Sequence, residues 1–286
     1  MNEPDAESAS CVRVRESGST KRETPLANFI EETVKAAGAE IALVRGGSGK
    51  PLLILHDELG YPGWMTWNEK LAQDRTLLIP QQPGYGNSPR IEWIMNYRDL
   101  GGFYSQVLRE MKLEPIDVIG FSAGGFIAAE MAAADPAIFS HMVLVAPMGI
   151  KPAQGEIMDF FAVTVRRHLM ATIADPANTP EYTKIYGGQM TPDRFEAFEE
   201  ARAETARIGW EPFMHNPSLP HLLRGLKTPT LLVWGTRDQV VPRGCIDAYR
   251  AAITGAQVAE IEGAGHRPEI ENTAEFDRAV RKFLAA

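Results

Sequence analysis

The chain has 286 residues, of which 44% are hydrophobic and 23% are charged, and its formal net charge is −8 at pH 7. This composition is typical of a globular protein with a buried core, and the acidic balance argues against a nucleic-acid partner, because binding phosphates requires a basic face. No stretch approaches the roughly 20 apolar residues of a transmembrane helix, and the first residues contain no apolar signal-peptide core, so we expect no membrane partner and a cytoplasmic location.

Residues 1–27 are rich in Glu, Ser, Arg and Thr, and they contain few large apolar side chains. Such a segment buries too little apolar surface to offset its ordering entropy, so we expect a disordered tail.

Short apolar runs then alternate with helical patterns along the chain. The runs are four to six residues long and rich in β-branched residues or leucine, as in strands covered on both faces. Strands are predicted at 41–45, 52–56, 76–80, 116–120, 142–147, 230–235 and 257–261, and helices at 97–112, 123–134, 244–253 and 273–285. This alternation predicts an α/β fold with a mostly parallel sheet between helices.

One long segment interrupts this alternation. Residues 151–220 contain no convincing strand but several helical patterns between prolines, clearest at 156–172 and 194–208. We therefore expect a helical cap or lid at 151–220, inserted into a core made of residues 28–150 and 221–286.

The most informative stretch is Gly120-Phe121-Ser122-Ala123-Gly124, which lies between a predicted strand and an Ala-rich helix. This is the G-x-S-x-G pattern of a nucleophile elbow, in which a tight turn exposes the serine hydroxyl above the sheet. The residues two before and two after the serine crowd the turn, so both must be small, and here both are glycine. We predict Ser122 as a nucleophile.

A serine hydroxyl needs a base to take its proton, and the base needs a carboxylate to orient it. His266 follows the last predicted strand and Asp238 the one before it, so both should lie at the same sheet edge as Ser122. The order Ser122, Asp238, His266 is the one expected for this kind of turn. Glu262 is the rival acid, expected to face solvent. The histidines of the predicted cap, including His168, are expected to be solvated or to face the substrate.

Further motifs accompany these residues. Pro83-Gly84-Tyr85-Gly86-Asn87-Ser88 resembles a P-G-x-G-x-S loop, and Leu55-His56 resembles the start of a His-Gly oxyanion loop. With the elbow, they make residues 38–286 resemble the α/β-hydrolase superfamily. The resemblance implies an eight-stranded, mostly parallel sheet flanked by helices with an inserted helical cap, as in esterases, lactonases, epoxide hydrolases and carbon–carbon hydrolases. It implies no cofactor and no metal.

An acyl-transfer site also needs two backbone donors for the developing oxyanion. One is expected to be the amide of Ala123, and the resemblance implies the amide of Glu58 as the other. The family usually has glycine directly after the histidine, where this chain has Asp57. Because a carboxylate next to an oxyanion opposes its charge, Asp57 and Glu58 must point away, stay neutral or have a specific role; one hypothesis is that Glu58 hydrogen-bonds or protonates the substrate.

Aromatic and methionine residues gather near the loops of the expected site and predict a largely apolar acyl or aryl pocket. Its predicted residues are His56, Phe121, Trp64, Met148 and Trp210.

These features predict a serine hydrolase that cleaves a small, largely apolar carboxylic ester, lactone or thioester through an acyl-enzyme on Ser122. The alternative is a carbon–carbon bond hydrolase acting on a diketone or ring-cleavage product with the same triad. A third reading is a ligand receptor without catalysis, since a fold does not dictate a function. The expected partner is a small-molecule substrate, and the sequence leaves a homodimer open.

Overall fold

The computed structural model describes residues 29–185 and 191–285, so the predicted tail at 1–27 lies outside the described residues. Eight strands form one sheet in the order β1-β2-β4-β3-β5-β6-β7-β8. The strands are β1 (Phe29–Ala36), β2 (Ala39–Gly47), β3 (Lys50–Leu55), β4 (Arg75–Pro80), β5 (Ile116–Phe121), β6 (Phe139–Val145), β7 (Thr230–Gly235) and β8 (Gln257–Ile261). Strands β3 to β8 run parallel, while β2 is antiparallel to both β1 and β4. The predicted eight-stranded, mostly parallel sheet is confirmed.

All seven strands that the apolar runs predicted are present, but β1 was not among them. It is an edge strand that pairs only with β2, and most of its side chains are exposed or half-buried. A strand in that position needs no continuous apolar run, so it left no clear signal in the sequence.

Helices cover both faces of the sheet. In the described part of the chain they are α1 (Thr66–Leu71), α2 (Tyr97–Glu110), α3 (Ala123–Ala134), α4 (Val165–Ala171), α5 (Pro180–Ile185), α6 (Pro192–Gly209), α7 (Leu219–Leu222), α8 (Arg243–Ala252), α9 (Pro268–Glu271) and α10 (Thr273–Leu284). None of these helices has the length and hydropathy that crossing a bilayer requires.

The core lies on both sides of the sheet, as the period of two in a strand requires. In β5, Val118 belongs to the apolar layer beneath α2, α3 and α8, whereas Ile119 belongs to the layer beneath α1 and α10. Both side chains are completely buried. Full burial on the two faces explains why the central strands read as continuous apolar runs.

Helices α4 to α7 occupy the segment between β6 and β7. The prediction of one helix over 156–172 was wrong in its first half, because residues 156–164 form an irregular segment with a turn at residues 160 and 161, and α4 begins only at Val165. The Asp159 side chain accepts from the amides of Phe161 and Ala162, both at 3.1 Å. Such a side-chain-capped turn competes with helix, and the Thr164 side chain then caps α4.

Helix α6 is fastened to the core by polar contacts. Thr205 Oγ1 donates to the carbonyl of Glu58 at 2.9 Å, and Arg90 Nε donates to Glu204 at 2.9 Å. Glu58 and Arg90 lie in the loops that follow β3 and β4. The inserted helices therefore pack over the edge of the sheet at which these strands end.

Candidate active site

Ser122 occupies the turn between β5 and α3, alone between the last residue of the strand and the first residue of the helix. Its backbone has φ 49° and ψ −110°, a left-handed conformation that costs a non-glycine residue about 1 to 3 kcal/mol. A Cβ added at Gly120 would lie 2.5 Å from the carbonyl oxygen of Gly124, and one at Gly124 would lie 2.1 Å from that of Leu55. The glycines permit the turn, which points the serine away from the strand.

His266 and Asp238 meet at the carboxyl edge of the sheet. His266 Nδ1 lies 2.8 Å from Asp238 Oδ2, and both side chains are almost completely buried. The other oxygen of Asp238 accepts from the amides of Val240 and Val241 at 2.7 and 2.9 Å, which fixes the carboxylate. Glu262, the rival acid in the sequence, is exposed.

The Asp238 contact also sets the proton affinity of His266. Burial favours the neutral imidazole, but the charge of Asp238 and the hydrogen bond to it outweigh burial and raise the pKa of His266 to about 9. With the Nδ1 proton donated to Asp238, Nε2 is the nitrogen left to act as a base.

Two reactive atoms remain unsatisfied at this edge. Ser122 Oγ and His266 Nε2 are both buried, and neither forms a hydrogen bond with any residue that the structure describes. Buried polar atoms of this kind cost stability unless a ligand or water satisfies them. An unsatisfied serine hydroxyl and an unsatisfied imidazole nitrogen at one sheet edge are the atoms that a nucleophile and its base would use.

Both carboxylate oxygens of Asp57 have partners. One of its oxygens accepts from the amide of Leu59 at 2.9 Å, and the other forms a buried ion pair with Arg267. The negative charge that the sequence places beside the predicted oxyanion loop is thus neutralised by the residue directly after His266. The sequence analysis assigned no role to Arg267. The one available signal was its position directly after the predicted base.

Glu58 pairs with a residue of the inserted helices. Its Oε1 lies 3.1 Å from His168 Nε2, and both side chains are fully buried. A solvated His168 is excluded, because its side chain is completely buried and its ring stacks on Phe160 with centroids 4.7 Å apart. Burial raises the pKa of Glu58, but the contact with His168 and its charge outweigh burial and hold that pKa below its ordinary value.

His56 and Phe121, both predicted for the pocket, have structural partners. His56 Nε2 accepts from the amide of Gln82 at 2.9 Å, and Nδ1 lies 2.7 Å from the carbonyl of Asp57. Burial lowers the pKa of His56 to about 4, so the ring is neutral and joins the loops after β3 and β4. Phe121 packs against Trp67 and Phe276 in the layer beneath α1 and α10.

The other three predicted pocket residues are dispersed. Met148 is buried beside the elbow, where its amide donates to the carbonyl of Ser122 at 3.2 Å. Trp64 instead stacks on Phe29 of the edge strand, with centroids 4.9 Å apart. Trp210 is 60% exposed at the end of α6. Patterns in the sequence do not distinguish an aromatic residue in a pocket from one at an edge.

Glu269 is a further buried carboxylate that the sequence did not single out. It lies 3.8 Å from Arg267, and its Oε2 has no hydrogen-bond partner among the described residues. Burial raises the pKa of Glu269 to about 7, against the lowering effect of Arg267. Arg267 thus lies among several carboxylates near His266.

An eight-stranded sheet of this order, with a serine elbow and a His–Asp pair at the carboxyl edge of its parallel strands, defines an α/β hydrolase. Comparison with known families agrees. Residues 52–279 match the model of the alpha/beta hydrolase family, and the chain belongs to that family.

The relatives include named hydrolases. The chain is 28% identical to 2-hydroxymuconate semialdehyde hydrolase of Pseudomonas sp. strain CF600, over 90% of this chain and 94% of the relative. It is 24% identical to 2-hydroxy-6-oxo-2,4-heptadienoate hydrolase of Pseudomonas putida, over 90% of this chain and 97% of the relative. The solved structure of 2-hydroxy-6-oxo-6-phenylhexa-2,4-dienoate hydrolase from Rhodococcus sp. strain RHA1 superposes with a TM-score of 0.72 at 19% identity, covering 91% of this chain and 100% of that one. The chain is a hydrolase; its substrate is a separate question.

Proposed function

We propose that this hydrolase uses Ser122, His266 and Asp238 as a catalytic triad to cleave a small, neutral, largely apolar carboxylic ester, lactone or thioester. The observation that carries the proposal is the unsatisfied pair of Ser122 Oγ and His266 Nε2, with His266 held by Asp238 at 2.8 Å. The inserted helices, residues 151–220, form the cap over this site in our proposal.

In the acylation step, His266 Nε2 takes the hydroxyl proton of Ser122 while Oγ attacks the carbonyl carbon. The carbonyl π electrons move to the oxygen, which faces the amides of Ala123 and Glu58. When the tetrahedral intermediate collapses, the bond to the leaving alcohol or thiol breaks and His266 returns the proton to it. Asp238 stabilises the imidazolium that exists between these transfers.

In the deacylation step, His266 removes a proton from water, and the resulting hydroxide attacks the acyl-enzyme. Collapse of the second tetrahedral intermediate breaks the bond to Ser122 Oγ, which regains its proton from His266. The carboxylic acid leaves, and the enzyme returns to its starting state.

The charges around the site support a neutral substrate. Asp57, Glu58 and Asp238 are buried at this edge, and Arg267 is already paired with Asp57. Arg166 and Arg167, two cations of α4 in the inserted segment, are exposed. A substrate carboxylate would add a further negative charge to these buried carboxylates, whereas an uncharged carbonyl compound would not.

Carbon–carbon bond hydrolysis is the second candidate, and the named relatives favour it. Their names describe hydrolases of a semialdehyde and of an oxo-dienoate, in which the bond next to a carbonyl is between carbons. The same serine, histidine and aspartate would serve that reaction. It requires a leaving carbon stabilised by conjugation, so a saturated ester would be a poor substitute for such a substrate.

The test is turnover of p-nitrophenyl acetate and butyrate, together with labelling by a fluorophosphonate, in wild type, Ser122→Ala and the control Ser218→Ala at an exposed serine. We expect turnover and labelling in wild type and control, and neither in Ser122→Ala. Labelling with turnover of 2-hydroxy-6-oxo-2,4-heptadienoate but not of esters would establish the second candidate. Absence of both signals would contradict the triad and favour a receptor.

A further inference from the structure

Glu58 lies beside the nucleophile because of how strands β3 and β5 pair. Leu55, the last residue of β3, is in register with Gly120, so Glu58 and Ser122 leave adjacent strands at the same edge. The loop is packed against the start of α3, since a Cβ at Gly124 would lie 2.1 Å from the carbonyl oxygen of Leu55 and 2.5 Å from that of His56. The topology thus brings a carboxylate to the immediate surroundings of Ser122.

This carboxylate is incompletely satisfied. Glu58 is 1% exposed, and its Oε1 faces His168 Nε2 at 3.1 Å. Neither oxygen of the carboxylate forms a well-oriented hydrogen bond with any residue in the described part of the chain, the contact with His168 included. Leaving a buried charged acceptor without a donor costs more than the roughly 1 to 3 kcal/mol of a neutral group. A bound ligand that donates a hydrogen bond removes that cost.

The position of Glu58 is fixed from the inserted helices. His168 of α4 is completely buried and stacks on Phe160. The carbonyl of Glu58 accepts from Thr205 of α6, whose hydroxyl also lies 2.6 Å from the hydroxyl of Tyr85. A group held through both its backbone and its side chain is preorganised for recognition.

The charge of Glu58 also acts on His266. It contributes to raising the pKa of His266, and the charge of His266 contributes to lowering that of Glu58. An ionised carboxylate only accepts hydrogen bonds, so the ligand group that satisfies Oε2 must carry an O–H or N–H.

We propose that Glu58 and His168 form a specificity subsite for a hydrogen-bond donor, a hydroxyl or an amide N–H, carried on the acyl chain next to the scissile carbonyl. Glu58 contacts the donor, and His168 is the positioning residue that holds Glu58 from the inserted helices. The preferred substrates are therefore hydroxyacyl or acylaminoacyl esters. This inference rests on the proposed ester hydrolysis and adds the substrate feature that the site selects.

The experiment compares kcat/KM for p-nitrophenyl butyrate with kcat/KM for its 2-hydroxy and 3-hydroxy analogues. The measured quantity is the ratio of the better hydroxy ester to butyrate. We expect a wild-type ratio of at least about 10, because a site built to bind a hydroxyl strongly rejects the analogue without it. Independently of turnover, a methyl hydroxybutyrate should slow fluorophosphonate labelling at about a tenth of the concentration of methyl butyrate.

The variants assign the preference to this subsite. Glu58→Met removes the acceptor and should bring the ratio to about 1, while Glu58→Gln keeps a weaker, neutral acceptor and should give an intermediate ratio. His168→Phe preserves an aromatic ring against Phe160 and should also lower the ratio, through a higher KM for the hydroxy ester. Glu196→Met, at an exposed carboxylate of α6, should retain the wild-type ratio.

A wild-type ratio near 1, or an unchanged ratio in Glu58→Met, would overturn the subsite while leaving ester hydrolysis intact. If Glu58→Met does not fold, an unchanged ratio in Glu58→Gln would overturn it equally. Absence of both turnover and labelling in wild type would instead overturn the proposed function, and the subsite with it.

Discussion

Asp57 and Arg267 form a buried ion pair between residues 210 positions apart in sequence, and it joins the loop after β3 to the residue that follows His266. The pair explains how this chain accommodates an aspartate where the family usually has glycine. The charge of Asp57 is paired with that of Arg267. The same contact ties the loop of the proposed base to the proposed oxyanion loop.

Removing one partner of this pair should destabilise the protein more than removing both. Arg267→Met leaves Asp57 buried without its counter-ion and should lower the free energy of unfolding by about 3 to 5 kcal/mol. The double variant Asp57→Asn with Arg267→Met should recover part of that loss. Urea denaturation measures both. If the double variant loses as much stability as the two single variants added together, the two residues are not coupled. The control is Arg278→Met, which removes an ion pair whose arginine is 75% exposed and should cost less than about 1 kcal/mol.

Asp238→Asn should lower kcat by about three to four orders of magnitude while the protein remains folded. The amide retains the shape of the carboxylate, but it no longer stabilises the imidazolium and favours the wrong tautomer of His266. Steady-state turnover and the rate of fluorophosphonate labelling measure the effect. Glu262→Gln, at the exposed rival acid, is the matched control. A loss in Glu262→Gln that equals the loss in Asp238→Asn would contradict the assignment.

The pH profile should report the raised pKa of His266. The base acts only when neutral, so kcat/KM should fall as pH decreases below about 9 and approach a plateau above that value. Because the charge of Glu58 contributes to raising this pKa, Glu58→Gln should move the midpoint to lower pH. Measurements from pH 6 to 10 at constant ionic strength test both statements. An unmoved midpoint would show that Glu58 and His266 are not coupled.

Glu269 should make the protein less stable as pH rises toward neutrality. Its pKa is about 7 when folded and about 4.5 when exposed in the unfolded chain, so the folded state binds the extra proton between these values. The contribution of Glu269 to the free energy of unfolding is fully present below pH 4.5 and is lost as pH rises through 7. Glu269→Gln should therefore gain stability relative to wild type between pH 5 and pH 8, by roughly 3 kcal/mol at most at 1.36 kcal/mol per pKa unit. Urea denaturation at both pH values checks the difference, and an equal effect at the two would refute it.

The central strands and the elbow could be predicted because their causes are local. A buried parallel strand reads as an apolar run wherever it stands, and the glycines around Ser122 are required by atoms within the turn and the adjacent loop. The edge strand β1 escaped prediction since pairing on one side and exposure on the other demand little of its sequence. The irregular segment at 156–164 escaped prediction because the Asp159 side chain, rather than an apolar pattern, stabilises the turn within it.

The sequence by itself determined the fold class, the order of the candidate nucleophile, acid and base, and their common edge of the sheet, because parallel strands end at one edge. Only the tertiary structure decided which charges meet. It placed Asp57 on Arg267 and Glu58 on His168, buried His168, and left Trp210 at the surface. The physical reason is that the energy of a buried charge depends on its partner, and the partner is brought by packing from a segment that no local pattern connects to it.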